Sequence, residues 1–411
     1  MSHDRPAPAE LARMAGLPTI SRRGFIRGAS LAGLALGSPA LLSACGTEAA
    51  KQTAASCVSK DLSAKQKVLD FSNWPDYIDV ATKKVNGQKK TVTPTLDHFE
   101  SETGIRVVYN TDVNDNVEFF GKVRNQLAAC EPTGRDIFVL TDWMAGRMVG
   151  LGWLQKLDHA NLPNVEAHLR AELKSPPWDP HRDYSVPWQS GLTGIAYNAK
   201  YTKGVGSMEE LLTRSDLKGR VSMLFEMNDT MGFMLRIVGA DPANFTDDEW
   251  HQALDKLRGY VDSGHIRRFT GNDYIRDLQA GNVVACEAWS GDVIAEQFSN
   301  PDIKWVIPEE GLSLWSDNML VPNKADHKTN AEHLMNYYYD PEVAARLAAW
   351  VNYICPVDGA REAMTKVDPN LVDNPLIFPD AQFLSKAFSF MSTDEKTRQR
   401  YETAYAQVVG S

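Results

Sequence analysis

The run Val68-Leu69-Asp70-Phe71-Ser72-Asn73-Trp74-Pro75-Asp76-Tyr77-Ile78 opens the folded part of the chain. Residues 68–71 read as a short buried strand. Pro75 ends it, because its ring nitrogen carries no hydrogen for a ladder and it holds Trp74 extended. A Trp, a carboxylate and a Tyr are thereby set on a loop at the carboxyl end of a strand. In open α/β sheets, ligands bind along that edge. Two aromatic faces beside one Asp suit an organic cation: the rings attract it and the Asp neutralises it. The same run also fits a hydrophobic plug, since most Trp residues serve packing.

Strands and helices alternate on either side of this run. Residues 96–103 read as a helix ended by Gly104, and 105–110 as a strand. A helix at 117–129, a strand at 136–141 and a helix at 143–150 follow. Strands are expected again at 194–198, 221–225, 283–289, 303–307 and 319–322, with helices between them and a mainly helical tail. Residues 83–93 are polar and basic and read as a loop insertion. This order predicts an α/β fold built on parallel sheet. With 411 residues, two lobes are expected rather than one core.

The N-terminus reads as an address. Ser21-Arg22-Arg23-Gly24-Phe25-Ile26-Arg27 is a twin-arginine signature, and an apolar run from residue 29 to 42 follows it. That run is short for a membrane span. It ends in Leu42-Ser43-Ala44-Cys45-Gly46, which resembles a bacterial lipobox. The expectation is a signal peptide over 1–44, lipidation at Cys45, and a lipid-anchored flexible tether over 45–65. The protein would then act outside the cytoplasmic membrane. Folding before export, in a reducing cytoplasm, leads us to expect mostly free thiols at Cys57, Cys130, Cys286 and Cys355.

The formal charge is −10. Five arginines against Asp4 and Glu10 make residues 1–44 locally +3, so the remainder carries −13 (−10 minus +3). Nucleic acid is thus not an expected partner, since it needs a basic footprint. Catalytic signatures are missing: there is no H-E-x-x-H, G-x-S-x-G, C-x-x-C, P-loop or G-x-G-x-x-G. The nine His are scattered, and no metal or cofactor is expected.

Four further loci repeat the opening motif. Thr141-Asp142-Trp143, Glu226 with Asp229, and Trp289-Ser290-Gly291-Asp292 each follow a strand. Trp315-Ser316-Asp317 precedes one. Asp229 and Asp292 also fit helix capping, and each Trp fits packing. Recurrence is what favours a site: acids and Trp rings return to the same sheet edge.

These residues resemble the polyamine-binding proteins of bacterial ABC importers, the spermidine- and putrescine-binding group. The matching landmarks are Asn73-Trp74-x-Asp76-Tyr77, Leu154-Gln155-Lys156-Leu157-Asp158, Tyr184-Ser185-Val186-Pro187, Trp289-x-Gly291-Asp292, Trp315-x-Asp317 and Phe378-Pro379-Asp380. The resemblance implies a two-lobed type II solute-binding fold with a hinge and a cleft between the lobes. One lobe would be 66–187 plus 317–361, the other 188–316 plus 362–411. It implies a ligand set of Trp74, Asp76, Tyr77, Thr141, Trp143, Glu226, Asp229, Trp289, Asp292, Trp315, Asp317 and Tyr353. It further implies a monomer that delivers a linear polyamine to membrane permease subunits, without catalysis. Asp292 looks like the putrescine-specific members and Trp315 with Asp317 like the spermidine-preferring ones; Phe390 falls near the place of a family Gln. The alternatives are the same fold carrying another amine or an amino-acid derivative, an extracellular hydrolase, or an adhesion module.

Overall fold

Twelve strands set the frame of a computed structural model that describes residues 57, 60–85 and 88–410. They are β1 (Val68–Ser72), β2 (Ala81–Val85), β3 (Gln88–Val92), β4 (Arg106–Asn110), β5 (Ile137–Thr141) and β6 (Ser185–Asn198). There follow β7 (Val221–Leu224), β8 (Ile266–Thr270), β9 (Ala285–Trp289), β10 (Ile303–Val306), β11 (Leu312–Leu320) and β12 (Ala387–Phe388). The main sheet runs β4-β1-β5-β11-β6-β9-β7-β8, with β10 on β6 and β12 on β11. The β4-β1-β5 and β9-β7-β8 parts are parallel, as the alternation of elements predicts. Between them, β11 runs antiparallel to both β5 and β6.

The strands β6 and β11 are long because they serve both parts of the sheet. Of the separate short strands expected, 194–198 is the end of β6 and only 319–320 of 319–322 falls in β11. The register between β6 and β11 breaks between Asp317 and Asn318: Asp317 pairs with Gln189 and Asn318 with Pro187. Trp188 is the unpaired residue, and its ring is buried 4.4 Å from that of Tyr338. Pro187 explains the break, since it cannot donate to the ladder. Apolar packing is divided as well. One cluster holds Phe71, Phe138, Trp188 and Tyr338; a second holds Met231, Trp250, Phe269 and Tyr401. In the second, the Trp250 and Tyr401 rings stack at 4.0 Å.

Three expectations are corrected. Residues 83–93 do not form a loop: Ala81–Val85 and Gln88–Val92 pair as an antiparallel hairpin. The Asn-Gly dipeptide at 86–87 was the overlooked signal, since it favours a tight hairpin turn. The tether is fixed at its end, where Leu62 N–H donates to Asp326 O at 2.7 Å and Asp61 accepts from Thr329. The thiols are not mostly free either. Cys57 and Cys130 form a disulfide with a Cα–Cα distance of 5.6 Å, while Cys286 and Cys355 are buried thiols. Closing a loop of 73 residues stabilises by roughly 4 kcal/mol through the unfolded chain. The twin-arginine signature and Cys45 lie outside the described residues.

Candidate functional site

Three strands end at one cleft, and each hands over to a helix. Thr141 closes β5 and precedes the helix Asp142–Gly150. Glu226 follows β7 and precedes the helix Met227–Ile237. Trp289 closes β9 and precedes the helix Ser290–Gln297. Ser313, Trp315 and Asp317 alternate along β11 and so share one face of the sheet. The cleft encloses about 780 Å³, counting the space open to solvent at its mouth.

Ten of the twelve expected residues line it: Trp74, Tyr77, Thr141, Trp143, Glu226, Asp229, Trp289, Trp315, Asp317 and Tyr353. Asp76 does not. It adopts a φ of 58° directly after Pro75, and its side chain is exposed. Asp tolerates that left-handed geometry, and the turn directs it outward. Asp292 is not a lining residue either. It sits behind the wall, accepting from Tyr274 Oη at 2.9 Å, Asn272 Nδ2 at 3.0 Å and Tyr353 Oη at 3.1 Å.

Five rings form a continuous aromatic wall. Tyr77 lies 5.4 Å from Tyr353, Tyr353 5.3 Å from Trp315, Trp315 6.4 Å from Trp289, and Trp289 6.2 Å from Trp74. All four contacts are edge-to-face, the arrangement ring quadrupoles prefer. Three of the rings are fixed through their indole N–H groups: Trp315 Nε1 donates to Thr193 Oγ1 at 2.9 Å, Trp289 Nε1 to Asp229 Oδ2 at 3.0 Å and Trp74 Nε1 to Val139 O at 3.1 Å. Gly191 pairs with Trp315 across β6 and β11, and a Cβ at Gly191 would overlap the indole. Gly191→Ala is therefore expected to displace Trp315 and weaken a cationic ligand by about tenfold, the worth of one desolvated cation–π contact. Titration calorimetry checks this, and an unchanged affinity would contradict it.

Among the described residues four carboxylates line the cleft, namely Asp142, Glu226, Asp229 and Asp317, and no Lys, Arg or His does. Asp317 Oδ2 accepts from Tyr77 Oη at 2.7 Å and Oδ1 from Thr141 Oγ1 at 2.8 Å. Asp229 Oδ1 accepts from Ser313 Oγ at 2.8 Å. Asn116 Nδ2 donates both to Thr141 Oγ1 at 2.8 Å and to Glu226 Oε2 at 2.9 Å. This amide thus ties the end of β5 to the end of β7.

Burial raises every one of these acids, because the charged form loses its water. Asp317 is pushed up to about 7, with its donors Tyr77 and Thr141 opposing and Asp142 and Asp229 adding to the rise. Asp142 and Asp292 are pushed up to about 6. Glu226 rises well above the carboxylate range, and Asp229 rises too. A carboxylate cluster of this kind is poised to receive positive charge, which would relieve the repulsion and replace the lost hydration.

Asn116, Asp142, Trp178, Asn228, Asn272, Ser313 and Phe390 also line the cleft. Ser313 was within reach of sequence reasoning, since it stands two and four residues from Trp315 and Asp317. The sequence places that strand from residue 319, whereas β11 begins at Leu312 and so carries Ser313 into the site. Asn116 and Asn272 stand in no motif, and only the folded chain brings them here.

Comparison with known proteins follows the same lines. A family model described as bacterial extracellular solute-binding protein matches residues 95–379. The putrescine-binding periplasmic protein PotF of Escherichia coli (strain K12) is 29% identical over 372 residues, covering 84% of this chain and 92% of PotF. The spermidine/putrescine-binding periplasmic protein 1 of Haemophilus influenzae is 27% identical over 357 residues, covering 85% and 89%. Among solved structures, a Listeria monocytogenes protein assigned to spermidine/putrescine ABC transport superposes with a TM-score of 0.70 at 27% identity, covering 84% of this chain and 99% of its own. The TpPotD lipoprotein of Treponema pallidum shares the fold, with a TM-score of 0.68 at 21% identity over 84% and 100%. With the α/β sheet, the inter-strand cleft and a match over most of its length, the chain belongs to the bacterial extracellular solute-binding proteins.

Proposed function

We propose that this protein captures a linear polyamine, putrescine or spermidine, and hands it to the membrane permease of an ABC importer. The carrying observation is the lining: among the described residues, four carboxylates and eight aromatic side chains, with no basic side chain. An amino acid or other zwitterion would bring a carboxylate into this set and find no basic side chain lining the cleft among the described residues. The relatives named for putrescine and spermidine support the same choice. Asp317 takes one ammonium and Glu226 with Asp229 another; the Trp rings cover the methylenes.

The magnitudes suffice. Four methylenes contribute up to ~3 kcal/mol on burial, and each well-placed Trp adds ~1–2 kcal/mol by cation–π attraction. Micromolar affinity needs about 8 kcal/mol in total. Closure supplies the desolvation that makes the charge contacts count. The lobes proposed for it are 66–187 plus 317–361 and 188–316 plus 362–411, which meet where the β6–β11 register breaks. Twin-arginine export and acylation at Cys45 would hold the monomer at the outer face of the cytoplasmic membrane. No part of this scheme involves turnover.

Titration calorimetry of the purified chain, dialysed free of amines, tests the proposal against putrescine, spermidine and a panel of amino acids. Micromolar or tighter binding of at least one polyamine, with none of the amino acids, is expected. No heat with any polyamine would remove the proposal.

A further inference from the structure

We propose that Asp142 is a specificity-determining ligand residue that receives a third positive centre, so that the cleft selects a linear triamine over a diamine. This rests on the polyamine reading and extends it to a residue outside the expected ligand set. The inference comes from which acceptor atoms are already occupied. Both oxygens of Asp317 hold donors, Tyr77 and Thr141. Both oxygens of Asp229 do as well, Trp289 and Ser313. Asp142 Oδ1 accepts from Trp143 N–H at 2.7 Å, but Oδ2 meets no donor among the described residues. Glu226 Oε1 and Asn228 Oδ1 are likewise without donors, on side chains only 8% exposed that line the same cleft. Buried acceptors left open, here those of Glu226 and Asn228, cost free energy unless something fills them, whereas Asp142 is half-buried and its open oxygen is reachable from the cleft.

The nearby protein cations Arg182 and Arg398 act on Asp142 through their charge but donate no hydrogen bond to it. Arg182 Nη1 is committed to Ser185 and Asn318, and its remaining donors to Leu173 O. Arg398 lies 4.8 Å over the Trp143 ring and forms no ion pair with Asp142. Spacing favours a second cation beside the Asp317 site. Asp317 pairs with Thr141 across β11 and β5, and Asp142 is the next residue along the chain. Cα atoms paired across strands stand about 5 Å apart, and Asp142 lies one Cα step of about 3.8 Å beyond Thr141, so the two acids start about 6 Å apart. Two nitrogens joined by three methylenes span about 5 Å, four bonds of roughly 1.5 Å in zigzag. A propylamine unit added to a diaminobutane therefore brings its extra ammonium to a carboxylate still short of donors.

The test is calorimetry of 1,4-diaminobutane and spermidine on the native chain, Asp142→Asn and Asp142→Glu. The native chain is expected to bind the triamine more tightly. Asp142→Asn keeps the acceptor for Trp143 N–H and is expected to weaken the triamine 10- to 100-fold and the diamine less than threefold; Asp142→Glu, which keeps the charge, retains the preference. Equal losses for both ligands, or none for either, would overturn the role of Asp142 while leaving polyamine binding in place. Circular dichroism and melting of each variant separate these outcomes from misfolding. Absence of any amine binding by the native chain would overturn the polyamine reading and this inference together.

Discussion

Asp317→Asn is expected to weaken polyamine binding by about 30- to 1000-fold, the 2–4 kcal/mol that follows when one member of a desolvated charge pair is removed. The side chain is 3% exposed and holds two hydroxyl donors, so an ammonium meets it already oriented. Asn removes the charge and turns an NH₂ towards one of the two donors. The free protein should respond in the opposite direction. Burial disfavours the ionised Asp317, so a neutral residue there spares the unliganded fold a cost at neutral pH. The expected pair of results is a large loss of affinity by calorimetry, with a melting temperature at pH 7.5 that holds or rises. Asp76→Asn serves as the comparison, because Asp76 is exposed outside the lining. A loss equal to that of Asp317→Asn would move the ammonium site to the loop after Pro75.

How far the sequence carried the reading depends on what kind of signal each residue gives. The strand β1 was readable because a buried apolar run is cut by Pro75, a purely local effect. Trp74, Thr141 and Trp289 were readable as cleft residues because each ends or follows a strand, and parallel strands of one sheet end on a common edge. Asp76 shares their sequence context but not their placement, since one left-handed residue after a proline reverses the side chain's direction. The join of β6 with β11 was not readable, because Pro187 and Trp188 interrupt the pattern inside a strand that continues past them. The hydrogen bond from Asn116 to Glu226 spans 110 residues and depends on long-range folding alone. The Cys57–Cys130 bond belongs to the same class: no spacing motif announces it, and only the fold brings the Cα atoms within bridging distance.

Affinity for a polyamine is expected to fall steeply as pH drops from 8 to 6. Primary amines keep their charge across this range, as the Lys value near 10.4 indicates, so the change must come from the protein. Burial pushes Asp317 up to about 7 in the free cleft and Asp142 up to about 6. The ligand binds the ionised forms, and below those values part of the binding energy must drive protons off. Asp317 alone accounts for about a tenfold loss between pH 8 and 6, and Asp142 about twofold. The stability of the free protein carries the opposite sign. These folded values lie above the unfolded carboxylate value, so their contribution is complete below about pH 4 and is lost as pH rises through 6 to 7. Thermal stabilisation by ligand should therefore be larger at pH 8 than at pH 6. Calorimetry at pH 6.5 in buffers of differing ionisation enthalpy should register net proton release on binding. An affinity flat from pH 6 to 8, or net proton uptake, would show that the cleft acids are already ionised before the ligand arrives. Charge relief would then not be what drives capture.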